Sequence, residues 1–224
     1  MYPIIRYLLK SSLQICIARD KFIWKLPQEH SGSVCLTFDD GPDPKYTLPI
    51  LDVLDQYDMK ATFFLIGEKV RLYPNVVKAI VERGHYTSAH TFTHTEITNL
   101  SNSDLQQELN LTRAILKDVT GRDCITFRPP LGRMNLRTLR ASTSYGYKVI
   151  HWTKSYSDYL RDGSDKLISR MVDSPVQNRD IILLHDSNPY TVKSLNHLIK
   201  NLKSRGIKNA IIDEQGNIIT RAFE

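Results

Sequence analysis

The chain has 224 residues, 41% of them hydrophobic, which is enough to bury one sizeable core and sits in the range where barrels form a single domain. Its 30 basic against 24 acidic residues give a net +6, and residues 1–25 hold Arg6, Lys10, Arg19, Lys21 and Lys25 against Asp20 alone, so the rest of the chain is nearly neutral. A nearly neutral folded surface without a recognition motif excludes nucleic acid as a partner, and three scattered cysteines, Cys16, Cys35 and Cys124, with no CxxC spacing, exclude a disulfide framework and a thiolate metal site.

In chain order, Ile4, Ile5, Leu8, Leu9, Leu13, Cys16 and Ile17 recur at helical spacing over residues 3–18, with Arg6, Lys10 and Gln14 largely on another face. The polar interruptions leave this stretch short of the roughly 20 apolar residues of a spanning helix, and it lacks a small-residue cleavage site. The expectation is a basic amphipathic helix that packs its stripe on the domain or lies in an anionic membrane surface. The domain reading is 1–32 for this helix and lead-in and 33–224 for the folded domain. Without an export signal, the expected location is the cytoplasm, with peripheral contact at the inner face of the membrane through residues 1–25.

From Val34 onward, short apolar runs alternate with helix-patterned segments. Strands are expected at 34–38, 61–66, 85–89, 124–127, 147–152, 181–184 and 210–212. Helices are expected at 48–57, 75–83, 104–119, 136–144, 166–172 and 191–205, with Ser101 and Ser103 as cap candidates for the third. This βα rhythm of about seven units, without an internal repeat, favours an α/β fold of the closed or nearly closed (β/α) barrel kind over an open doubly wound sheet.

Two local patterns carry chemistry. In Thr37-Phe38-Asp39-Asp40-Gly41-Pro42-Asp43, adjacent carboxylates end an apolar strand. Both stay ionised if one meets a cation and the other an arginine, although Asp and Gly also shape ordinary acidic turns. In His90-Thr91-Phe92-Thr93-His94, two imidazoles stand four residues apart in a Thr-rich stretch of poor helix propensity. One carboxylate oxygen plus two imidazole nitrogens makes a three-ligand site with a coordination position left open, as catalytic zinc sites have. His30, His85, His151 and His197 read as ordinary core or surface groups. Arg128, Asp158 and His185 each follow a predicted strand, and the carboxyl ends of parallel barrel strands share one rim where active sites form.

Taken together and in this order, the patterns resemble the NodB-type polysaccharide deacetylases of carbohydrate esterase family 4 over residues 33 to 213. Thr37 to Pro42 is similar to that family's TFDDGP, His90 to His94 to HTxxH, and Arg128-Pro129-Pro130-Leu131-Gly132 to RPPYG. Trp152 to Tyr159 resembles a divergent WxxxxxDW, and Leu183-Leu184-His185-Asp186 resembles LLHD. The resemblance implies a distorted (β/α)7-8 barrel and removal of the acetyl group from an N-acetylated sugar with release of acetate. It assigns the metal to Asp40, His90 and His94, the general base to Asp39 oriented by Arg128, the general acid to His185 supported by Asp158, and an oxyanion donor to the backbone N–H of Leu131. The expected cofactor is one divalent ion, zinc, with cobalt or nickel as alternatives; the expected partner is an acetylated saccharide. Leu131, Tyr159, Ser155 and Ser88-Ala89 depart from the family's usual residues and change the pocket wall, leaving every proposed ligand in place. The competing readings are a non-catalytic carbohydrate-binding member, which would have no need of both Asp39 and His185, and a metal-dependent esterase or amidase acting on another acetylated molecule.

Overall fold

A computed structural model of the chain describes residues 17–221. The helix expected over residues 3–18 lies outside them except for Ile17 and Ala18, as does most of the segment assigned to membrane contact. No helix among the described residues is long and apolar enough to cross a membrane.

Among the described residues, ten strands form one sheet: β1 (Phe22–Ile23), β2 (Ser33–Gly41), β3 (Thr62–Leu65), β4 (Tyr86–Ala89), β5 (Thr126–Phe127), β6 (Lys148–Ile150), β7 (Lys154–Ser155), β8 (Ile181–His185), β9 (Lys208–Ile212) and β10 (Ile218–Arg221). Their order is β1-β6-β5-β4-β3-β2-β8-β7, with β9 beside the start of β2 and β10 antiparallel to β9. Every other pairing is parallel. Among the described residues, seven α-helices cover the sheet: α1 (Thr47–Gln56), α2 (Gly67–Leu72), α3 (Pro74–Glu82), α4 (Asn102–Thr120), α5 (Leu136–Ser144), α6 (Ser164–Asp173) and α7 (Pro189–Ser204). This is the expected α/β barrel, distorted and incompletely closed. The strands near its two edges, β6 and β7, are separated in the chain by His151, Trp152 and Thr153 alone, so one short segment draws the edges together. The strand expected over 147–152 accordingly ends at Ile150, and β7 follows it outside the expected bounds. The lead-in also contributes to the sheet: β1 runs beside β6, and Phe22, Ile23, Trp24 and Leu26 are buried.

The period of two along β2 explains why this sheet carries a site. Val34, Leu36 and Phe38 belong to the main core cluster, together with Leu51 and Leu54 of α1 and Leu195 and Leu198 of α7. Cys35 belongs to a second, smaller cluster with Phe64, Ile150, Ile181 and Ala210. Successive side chains of a strand point to opposite faces, so Thr37 and Asp39 share the Cys35 face and line the barrel interior. That interior passes from apolar at Cys35 to hydroxyl at Thr37 to carboxylate at Asp39 as β2 reaches the rim. The helices begin where local chemistry dictates. Ser101 Oγ accepts from Asp104 N–H at the start of α4, Asn135 and Thr138 form a capping box on α5, and Asn188 caps α7 with Pro189 following.

Candidate active site

The carboxyl ends of β2, β4, β5 and β8 and the loop after β7 converge on one rim. Asp39 pairs in register with His185 across β2 and β8, so the two groups stand on neighbouring strand ends. Asp40 follows at the point where the β2–β3 register shifts, with φ 73°. His90 succeeds β4, and Arg128 succeeds β5.

Asp40, His90 and His94 each offer one ligand atom, and these atoms all lie within 4.8 Å of one another. Asp40 Oδ1 is 3.5 Å from His90 Nε2 and 3.1 Å from His94 Nε2. Nitrogen and oxygen ligands about 2.1 Å from a tetrahedral ion would be separated by about 3.4 Å, so the donor set and its spacing fit a divalent cation. His90 is also oriented for ligation, because its Nδ1–H donates to the Arg128 carbonyl at 2.9 Å and leaves Nε2 facing Asp40. Burial opposes ionisation of Asp40, but hydrogen bonds from His90 and His94 outweigh it and hold the carboxyl below the usual carboxylate range.

Asp39 is met from beneath by Arg128, whose side chain is fully buried. The guanidinium Nη1 donates to Asp39 Oδ1 at 2.6 Å and to Thr37 Oγ1 at 2.8 Å, and its remaining donors reach the carbonyls of Ile150 and His151 at 3.3 Å. It lies over the Phe64 ring at 3.9 Å and beside Trp152 at 5.6 Å. A planar cation stacked on aromatics and donating to four acceptors has little freedom to turn, so Asp39 is held in one orientation. Asp39 Oδ2 is 3.9 Å from His90 Nε2, so this carboxylate abuts the ligand cluster while standing apart from it.

Asp158 and His185 form a second fixed pair. Asp158 Oδ1 is 2.8 Å from His185 Nδ1, while Oδ2 accepts from the His185 backbone N–H at 2.7 Å and from Thr191 Oγ1 at 2.8 Å. Burial pulls the His185 pKa down, but the hydrogen bond and charge of Asp158, joined by the charges of Asp39 and Asp40, push it up to about 9. His185 is therefore an imidazolium at neutral pH, able to give a proton from Nε2.

Leu131 occupies the left-handed region at φ 58° and is 62% exposed, and Tyr159, 60% exposed, stands edge-on 6.1 Å from the His185 ring. Both are open to a bound molecule. Gly132 at φ 61° packs directly against Trp152, where a Cβ would overlap the indole, so glycine is required at the end of this loop. His151, read from sequence as an ordinary core or surface group, stacks on Trp152 at 4.0 Å and helps form the floor under Gly132. Beside the cluster lies a cleft of about 470 Å³ lined by Asp40, Asp43, Tyr46, Lys69, His94 and Arg161, within the usual size of small-molecule sites. Of the eight non-glycine residues with positive φ among the described residues, six lie in the rim loops: Asp40, Thr91, His94, Leu131, Ser157 and Arg161. Backbone strain of this kind collects where geometry is set for function.

Several supporting residues escaped the sequence reading. Glu108 of α4 accepts from the backbone N–H groups of Phe92 and Thr93 and from Thr93 Oγ1, clamping the loop that joins His90 and His94. Lys69 Nζ donates to the Asp40 carbonyl at 2.6 Å. Thr191 and Thr37 complete the shells of Asp158 and Arg128. Of these, Thr37 alone carried a signal, since it stands two residues before Asp39 and hence on the same strand face.

The polysaccharide deacetylase family model matches residues 27–150. A peptidoglycan-N-acetylglucosamine deacetylase of Bacillus cereus is 31% identical over 196 residues, covering 85% of this chain and 91% of its own. A solved peptidoglycan N-acetylglucosamine deacetylase, in complex with 4-naphthalen-1-yl-N-oxidanyl-benzamide, superposes with a TM-score of 0.80 at 28% identity, over 86% of this chain and 91% of that one. A carbohydrate esterase family 4 pseudoenzyme from Bacillus anthracis superposes equally well, with a TM-score of 0.80 at 27% identity over 88% of this chain and 69% of that one. With a family model spanning more than half its length and a relative above 30% identity along most of both chains, this chain belongs to the polysaccharide deacetylase family.

Proposed function

We propose that this chain is a metal-dependent hydrolase that removes the acetyl group from an N-acetylhexosamine unit of a saccharide, releasing acetate and a free amine. The observation that carries this reading is the pair of held proton-transfer groups flanking the three-ligand cluster: Asp39 on buried Arg128 and His185 on buried Asp158. A protein that only bound sugar would need neither, so the conjunction favours catalysis even in a family whose solved members include a pseudoenzyme.

Asp40, His90 and His94 would hold the cation, zinc being proposed for two imidazoles and one carboxylate, with cobalt or nickel as substitutes. When bound, a divalent ion supplies Lewis acidity, lowering the pKa of water and polarising an acetyl carbonyl. Asp39 takes one proton from the attacking water as its oxygen bonds to the carbonyl carbon, and Arg128 keeps the carboxylate aimed during the transfer. The Leu131 N–H, in its strained turn, donates to the developing oxyanion. His185 delivers its Nε2 proton to the sugar nitrogen as the C–N bond breaks, and Asp158 stabilises the imidazolium that this step requires.

Acetate release tests the reading. The panel comprises N-acetylhexosamine oligomers, peptidoglycan fragments, nucleotide sugars and lipid-linked sugars, each with and without chelator, alongside matched O-acetyl sugars. The expected result is release from at least one N-acetyl substrate, abolished by chelator and restored by zinc. Release from O-acetyl sugars alone would make the chain an esterase, and no release from any substrate would leave the non-catalytic reading.

A further inference from the structure

The turn bearing Asp40 is tied down from below by two residues that the acid–base chemistry does not use. Asp40 holds φ 73°, a conformation that persists in a non-glycine residue only where its surroundings enforce it. Next to it, the Asp186 side chain is fully buried directly under Gly41: a Cβ on Gly41 would overlap the Asp186 carboxylate. Asp186 Oδ2 accepts from Thr47 Oγ1 at 2.6 Å, and Thr47 Oγ1 in turn accepts from the Asp43 backbone N–H at 2.8 Å. The Asp186 N–H reaches back to the Asp39 carbonyl at 3.3 Å. A continuous chain of hydrogen bonds therefore runs from Asp43 through Thr47 to Asp186, clasping both ends of the Asp39–Asp43 segment to the strand end that carries His185. Asp186 Oδ1 is buried and meets no hydrogen-bond partner among the described residues, an arrangement costly to the fold.

Building on the assignment of Asp40, His90 and His94 as cation ligands, we propose that Thr47 and Asp186 are a positioning pair that holds Asp40 in its ligand-bearing conformation, so that cation affinity depends on two residues that are not ligands. Partners of this outer kind alter metal affinity by roughly 10- to 100-fold when removed.

The test is the zinc dissociation constant of the full chain, measured by chelator competition, together with the melting temperature of the metal-free protein and the visible absorption of the cobalt-substituted protein. Thr47→Val keeps the side-chain shape and deletes the hydroxyl; it should weaken zinc about 10- to 100-fold and change the cobalt spectrum. Thr47→Ser should restore both to near wild type. Asp186→Ala is the second variant and should weaken zinc by a similar factor. The Thr47→Val/Asp186→Ala double variant should lose little more than either single one, because the two residues act as a unit. A lowered metal-free melting temperature with wild-type zinc affinity in Thr47→Val, or in Asp186→Ala if Thr47→Val does not fold, would reduce the pair to a structural pin and overturn the proposal. A wild-type chain that takes up no zinc is a different failure, since it removes the ligand assignment on which the pair depends.

Discussion

Arg128→Met removes the buried guanidinium at nearly constant length, and the cost can be worked out from what it leaves behind. Asp39 is 3% exposed and loses its 2.6 Å partner, while the carbonyls of Ile150 and His151 and the hydroxyl of Thr37 lose donors. Breaking a buried ion pair from one side costs about 3–5 kcal/mol, and each orphaned buried acceptor adds about 1–3 kcal/mol before relaxation and water entry. A net loss on the order of 5 kcal/mol would lower the melting temperature by roughly 10–20 °C at about 2–4 °C per kcal/mol for a domain of this size. Thermal melts of the metal-free protein measure it, so that lost metal binding does not contaminate the comparison. Arg128→Met/Asp39→Leu, which removes both charges, should recover much of the loss, because an unpaired buried carboxylate is the main penalty. A single variant melting within about 2 °C of wild type would refute the reasoning, and so would a double variant less stable than the single one.

Three further outcomes follow from the same geometry. Asp39→Asn should retain its metal and lose about 10²- to 10⁴-fold in turnover, since it keeps the shape and removes the proposed base; metal analysis beside single-turnover acetate release separates the two effects. In the proposed mechanism His185 gives up its proton to expel the amine, so the rate should fall as pH rises through the region of about 9. Asp158→Asn, which deletes the charge favouring imidazolium, should move that alkaline limb to lower pH, and an unmoved limb would exclude the pairing. At the opposite end of the barrel, burial and the charges of Lys60 and Arg83 hold His85 down at about 3, against 6.5 when unfolded. Below pH 6.5 the unfolded chain therefore binds a proton that the native state refuses, and stability should fall by roughly 1.4 kcal/mol per pH unit toward pH 3. His85→Asn, which keeps an acceptor for the Ala61 N–H now received by His85 Nδ1, should flatten that slope in denaturant titrations.

What could be read from the amino-acid order was what periodicity and residue chemistry encode directly. The short apolar run at residues 34–38 located β2, and the coincidence of chemically competent residues after strand after strand pointed to one rim. The two-residue strands β1 and β7 are too short to show a period, and α2 is a single short stretch hidden between β3 and α3. His151 and Trp152, expected inside the strand over 147–152, lie beyond the end of β6 and stack on each other under Gly132. The supporting shell was illegible for a different reason. Glu108 and Lys69 are ordinary helix residues whose contacts fall 15 to 16 and 29 positions away, and Thr47 meets Asp186 across 139. Nothing in their local pattern distinguishes them from solvated or capping groups. The left-handed backbone at Leu131 also had no local warning, since leucine is a poor residue for positive φ and its turn is imposed by the surrounding loop.

The central claim is that Asp40, His90 and His94 bind one divalent cation as a unit while Asp39 stands beside them as the base. Metal content after zinc loading and exhaustive buffer exchange tests it in five proteins: wild type, Asp40→Ala, His90→Ala, His94→Ala and Asp39→Asn. The account predicts about one zinc per chain in wild type and Asp39→Asn, the open three-ligand arrangement of a catalytic site, and almost none in the three ligand variants. Full occupancy in all three alanine variants, or loss of the ion in a folded Asp39→Asn protein, would contradict it.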